Sequence, residues 1–143
     1  MKFWDTSAII PLCVHETGSA AARELLTEDP SLVVWWGTRT ECVSALMRQV
    51  REGGLTPADA RAARHVLDTV MQAGMEMQPS EAVRGTAERL LGVHSLRAAD
   101  AFQLAAAIQW CQGVTTGNGL VVLDRRLREA GYAEGFTVLP GTL

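Results

Sequence analysis

Short apolar runs alternate with longer amphipathic stretches along the whole chain. "KFWD" (residues 2–5), "SLVVWW" (31–36), "MEMQ" (75–78), "GLVVLD" (119–124) and "GFTVLP" (135–140) are too short for core helices, and the spacing predicts five strands there. Between them, helical periodicity predicts segments near 6–14 and 18–27, then across 38–54 and 55–74, from Ser80 onward, over 97–111 and over 125–131. Local signals punctuate this reading. Thr56, Pro57 and Asp59 form an N-cap, a first-position proline and a capping-box acid, while Gly131 is expected to stop the last helix and Pro140 to close the last strand. The stretch "RAADAFQLAAAIQWC" is apolar nearly all round, so its helix should be buried. Alternating strands and helices imply an α/β fold, a parallel sheet covered by helices on both faces, here as one domain over residues 1–143.

Against this pattern, a few acids sit where apolar residues are expected. Asp5 follows "KFW" and precedes "TSAIIPL", so it is either capped, bound to a metal or neutralised, because a bare buried carboxylate costs several kcal/mol. Asp124 ends the fourth strand. In a parallel α/β sheet the ligand site lies beyond the carboxyl ends of the strands, where the strand order reverses, and both acids fall at that edge. Asp100 opens the apolar helix, where it either steadies the helix dipole, with Arg97 as a local counter-charge, or serves a site. Glu41 lies off the stripe of Val43, Leu46, Met47 and Val50, which suits a solvated first-turn glutamate, yet it follows the second strand closely and so nears the same edge. Several carboxylates in one pocket call for a hard divalent cation, Mg²⁺ or Mn²⁺.

Composition narrows the chemistry further. The formal net charge is −3, and Lys2 is the single lysine, so bulk electrostatic binding of nucleic acid is not expected, although a local rim of arginines remains open. Cys13, Cys42 and Cys111 are far apart and odd in number, which suggests neither disulfides nor a zinc site. His15, His65 and His94 are isolated, and Trp35, Trp36 and Trp110 read as core aromatics rather than base-stacking platforms. With no apolar leader and no run of about 18 apolar residues, the chain is expected to be cytoplasmic, without a membrane span.

Taken in order, "FWDTSAIIPL", "TRTECVSAL", "LRAADAFQLAAA" and "VVLDRRLREAGYAEGFTVLP" resemble the motifs of the PIN-domain ribonucleases, and more narrowly the VapC-like toxins of toxin–antitoxin pairs. The resemblance spans the chain. It implies a five-stranded parallel sheet ordered 3-2-1-4-5, catalytic or metal-ligand roles for Asp5, Glu41, Asp100 and Asp124, and a supporting hydroxyl on Ser7. It implies Mg²⁺-dependent hydrolysis of RNA, with Mn²⁺ as a substitute, by a homodimer silenced by a VapB-like antitoxin lying in a groove over the site. Ile9, Leu12 and Trp36 are candidate walls of that groove. Arg39, Arg97, Arg125 and Arg126 are candidate phosphate contacts or else solvated helix charges. The chain departs from the pattern at Val122 and Leu123, where many members carry a hydroxyl or thiol before the last aspartate, which leaves Thr115, Thr116 and Asn118 as possible substitutes. Two other functions compete: a non-catalytic PIN-like binding module, and a haloacid-dehalogenase-like phosphatase, which needs an aspartate where Ser7 stands.

Overall fold

A computed structural model describes all 143 residues. The predicted strands and helices all form: β1 (Lys2–Trp4), α1 (Thr6–Cys13), α2 (Ser19–Glu28), β2 (Leu32–Trp35), α3 (Thr38–Arg51), α4 (Pro57–Ala73), β3 (Met75–Met77), α5 (Glu81–Val93), α6 (Ala98–Trp110), β4 (Gly119–Val121), α7 (Arg125–Ala133) and β5 (Thr137–Leu139). The strands pair in parallel in the order 3-2-1-4-5, so β1 lies between β2 and β4. The strand order reverses there.

Alternation along the strands feeds two cores. Phe3, Val33 and Trp35 point to the face covered by α5, α6 and α7, whereas Trp4, Leu32 and Val34 point to the face covered by α1, α2, α3 and α4. A strand with apolar side chains on both faces needs helices on both, as a period of two requires. The centre of the first layer is α6, in which residues 103–108 are all buried.

Three expectations about boundaries change. Asp5 and Asp124 lie just past β1 and β4 and serve as N-caps of α1 and α7, accepting hydrogen bonds from Ser7 N and Leu127 N. Gly131 does not stop α7. It is inside the helix, where an added Cβ would stand 2.6 Å from Leu120 Cδ2, so its role is close approach of helix to sheet. The turn after α7 falls to Gly135, at φ +93°, a conformation that favours glycine.

Candidate active site

Four elements deliver one acid each to the carboxyl edge of the sheet. Because β1 and β4 are neighbours, their following N-caps Asp5 and Asp124 are brought side by side; α3 and α6 add Glu41 and Asp100 from their first turns. All four line a single cavity of about 680 Å³, together with Thr6, Ser7, Glu16, Thr40, Ser44, Arg48 and Gln49.

Ser7 ties the two strand ends together. Its backbone N–H and its Oγ both donate to Asp5 Oδ2, at 2.9 and 2.5 Å, and the same Oγ accepts from the backbone N–H groups of Leu123 and Asp124, at 2.8 and 3.2 Å. Backbone amides thus meet Ser7 at the place where the family resemblance leads one to expect a hydroxyl or thiol side chain. Val122 is fully buried in the core, Thr115 donates to the carbonyl of Glu134 and Asn118 to that of Val114. Thr115, Thr116 and Asn118 are absent from the cavity wall, so they do not replace the missing side chain.

Glu41 is held from the other side. Thr6 Oγ1 donates to Glu41 Oε2 at 2.9 Å, and Gln103 Nε2 reaches Glu41 Oε2, Thr6 Oγ1 and Thr38 Oγ1 at 3.3, 2.9 and 3.0 Å. Gln103 is 1 % exposed and follows Asp100 by one helical turn, so a single amide joins α1, α3 and α6. Neither Gln103 nor Thr6 stood out in the sequence. The available signal was a polar residue inside the apolar run of α6, three positions after its acid.

Electrostatics reflect crowding and burial. Asp5 is 4 % exposed, and its carboxyl is pushed up to about 7, chiefly by burial, with the charges of Glu41 and Asp100 adding to the rise and the two Ser7 donors opposing it. Glu41 is raised by burial and by Asp100, against the hydrogen bonds from Thr6 and Gln103. Asp100 is raised by burial and then by Asp124, an effect partly offset by Arg97 and Arg126.

Of the predicted arginines, Arg39 is spent elsewhere: it pairs with Asp68 of α4 at 2.5 Å. Arg97 and Arg126 flank Asp100 without lining the cavity, and Arg126 instead borders a small cleft with His94 and Glu129. Arg125 is exposed at the start of α7 and is likewise outside the cavity wall. The cation on that wall is Arg48, which the sequence reading passed over although it lies two turns from Glu41 on the same face of α3. Ile9 is fully buried and Trp36 is exposed just past β2, so these two do not form walls of a common groove. A second cavity, of about 430 Å³, lies instead between the end of α1 and α4, lined by Val14, Leu55, Ala63 and Val66 and sharing Glu16 and Gln49 with the acid cavity.

As placed, no three His, Cys, Asp or Glu side chains close around one point as a finished metal cage. The donor chemistry nonetheless fits a hard cation: the cavity wall holds carboxylates and hydroxyls without His or Cys, and both hydrogen bonds to Asp5 go to Oδ2, leaving Oδ1 without a protein donor.

Sequence comparison places the chain among known proteins. It is 30% identical over 145 residues to ribonucleases VapC45 and VapC49 of Mycobacterium tuberculosis, strains CDC 1551 / Oshkosh and ATCC 25618 / H37Rv, and the alignment covers 100% of this chain and 97% of each relative. The chain belongs to the VapC family of PIN-domain ribonucleases. No profile of a known protein family matches it. Among solved structures, the VapC fold is shared with Mycobacterium tuberculosis VapC20, a Sarcin-Ricin loop cleaving toxin, at TM-score 0.68 and 17% identity over 92% of this chain and 95% of that one. PAE2754 from Pyrobaculum aerophilum aligns at TM-score 0.59 and 21% identity, over 90% and 78% of the two chains. At such identities the likeness speaks for the fold. Within a VapC chain, the cavity at the β1/β4 edge is the candidate active site.

Proposed function

We propose that this protein is a metal-dependent endoribonuclease that acts as the toxin of a toxin–antitoxin pair in the cytoplasm. The observation that carries the reading is the gathering of Asp5, Glu41, Asp100 and Asp124 in one cavity of a chain from the VapC family. Asp5, Asp100 and Asp124 would hold Mg²⁺, or Mn²⁺ in its place, with Glu41 joining directly or through a water. The chemistry such an ion would supply there is a more acidic water and an offset to the charge that develops on the phosphorane. The protein's own part is preorganisation. Ser7 locks the Asp5 carboxylate against the β4 end, and Thr6 with Gln103 aims the Glu41 carboxylate, so little reorganisation remains when RNA arrives.

The family also bears on partners. A homodimer and a VapB-like antitoxin belong to this reading; the antitoxin would place a basic side chain among the acids and run its apolar part along the cavity lined by Val14, Leu55, Ala63 and Val66, which adjoins the acid site through Glu16 and Gln49. No helix is long and apolar enough to cross a membrane. A phosphatase of the haloacid-dehalogenase type is disfavoured because Ser7, not an acid, meets Asp5.

The test is purified protein on labelled RNA with Mg²⁺, Mn²⁺ or EDTA, beside Asp5→Asn. Internal cleavage with either metal, absent in EDTA and in Asp5→Asn, is the expected result. A folded wild-type protein that binds RNA but never cuts it would leave the non-catalytic module as the better reading.

A further inference from the structure

The acid cavity poses a problem for its own substrate. Five carboxylates line it, those of Asp5, Glu16, Glu41, Asp100 and Asp124, and even a bound divalent ion leaves the wall negative toward a polyanionic strand. Arg48 is the one cation on that wall. Four other arginines are engaged, Arg39 with Asp68, Arg84 with Glu81, Arg89 with Glu134, and Arg128 with the carbonyls of Val122 and Pro140, and the remaining unpaired ones lie outside the cavity wall. Arg48 is exposed, makes no side-chain hydrogen bond, and enters none of the ion pairs of the molecule. A guanidinium in an acidic cavity that remains unpaired is free to meet an incoming anion.

Its position says which anion. Arg48 follows Glu41 by seven residues on one face of α3, about 10 Å along the helix axis. That is too far for the phosphate under attack beside Glu41 and suits a neighbouring phosphate of the same strand. Ser44, between them on the same face, and Gln49 add neutral donors to this stretch of wall. We infer that Arg48, at the far end of the α3 wall, is a phosphate subsite that grips the single-stranded RNA backbone beside the scissile bond. This rests on the nuclease reading above and adds to it the route the strand takes: along α3, away from the acids. A planar fork that binds a phosphate bidentately holds the strand in register without reading its bases.

The experiment is steady-state cleavage of a short labelled single-stranded RNA at saturating Mg²⁺, across a series of NaCl concentrations, for wild type, Arg48→Ala, Arg48→Lys and Arg84→Ala. Arg84 is a surface control, paired with Glu81 of its own helix and outside the cavity wall. Loss of one charge-assisted phosphate contact should raise KM about tenfold and leave kcat nearly unchanged, since the contact is made equally before and during the reaction. The slope of log kcat/KM against log salt should shrink by about 0.7 in Arg48→Ala, return in Arg48→Lys and stay at the wild-type value in Arg84→Ala. A wild-type KM and salt slope in Arg48→Ala, or an equal loss in Arg84→Ala, would overturn the subsite while leaving the nuclease intact. A wild-type protein inactive on RNA would instead remove the reading on which the subsite rests.

Discussion

Ser7 Oγ stands 2.5 Å from Asp5 Oδ2 and 2.8 Å from the backbone nitrogen of Leu123, so one hydroxyl spans the ends of two neighbouring strands. It donates its proton to a nearly buried carboxylate and accepts from the chain entering Asp124. Ser7→Ala therefore removes one of the two donors that favour the charged form of Asp5 against its burial and strips Leu123 N of its partner. We expect a loss of about 1–3 kcal/mol in urea denaturation, together with weaker cleavage. Stability equal to wild type would show that water replaces the hydroxyl.

Gln103 is a positioning residue for Glu41. Its amide is fully enclosed and bonds Thr6, Thr38 and Glu41, so Gln103→Met, which keeps the volume and removes the donors, should cost about 1–3 kcal/mol. The informative readout is kinetic. At Mg²⁺ saturation kcat should fall several-fold with KM little changed, because the carboxylate is present but no longer aimed; a merely structural role would lower the melting temperature and leave kcat alone.

Without metal, stability should fall as pH rises through the acid range. Asp5 titrates at about 7 in the fold against an ordinary 3.8, so between those values the folded chain keeps a proton that the unfolded chain has released. A raised carboxyl thus favours folding at the low end and loses that contribution as pH climbs toward 7, by up to about 4 kcal/mol. Denaturant titrations in EDTA should show this slope in wild type and a shallower one in Asp5→Asn, with Glu41 and Asp100, also raised, supplying the remainder. Identical slopes in the two proteins would mean that Asp5 does not carry the proton.

A divalent cation should raise the melting temperature, since an ion bound only by the folded pocket stabilises by about 2.7 kcal/mol at a hundredfold excess over its Kd. Asp100→Ala should blunt the shift. An unchanged Mg²⁺ response in that variant, measured by thermal scan, would place the bound ion elsewhere on the surface.

If the proposed antitoxin carries a basic residue into the acid cavity, that residue should act as a charge plug. A peptide carrying it should inhibit cleavage, and rising Mg²⁺ should relieve the inhibition; with that residue changed to Ala the peptide should still bind through apolar anchors but inhibit less. Equal inhibition by the two peptides, indifferent to Mg²⁺, would make the block steric.

The order of elements, the parallel sheet and the candidate acids were all legible in the sequence, because they rest on local facts. Short continuous apolar runs between amphipathic helices make strands covered on both faces, and an acid after such a run is anomalous wherever it falls. Asp5, Asp100 and Asp124 announced themselves by contrast with apolar neighbours. Tertiary structure decided what no local pattern contains: which residues distant in the chain meet. Gln103 is an ordinary helix residue until α6 packs against α1 and α3, 97 and 62 positions away from its partners Thr6 and Glu41. Arg39 and Arg48 lie on one helix and look alike in sequence, yet packing of α4 gives the first an ion pair with Asp68 and leaves the second on the cavity wall. Gly131 reads as a helix stop by propensity, and the approach of Leu120 made it a contact instead. In each case a long-range contact, invisible to spacing, chose between roles that the residue type alone allowed.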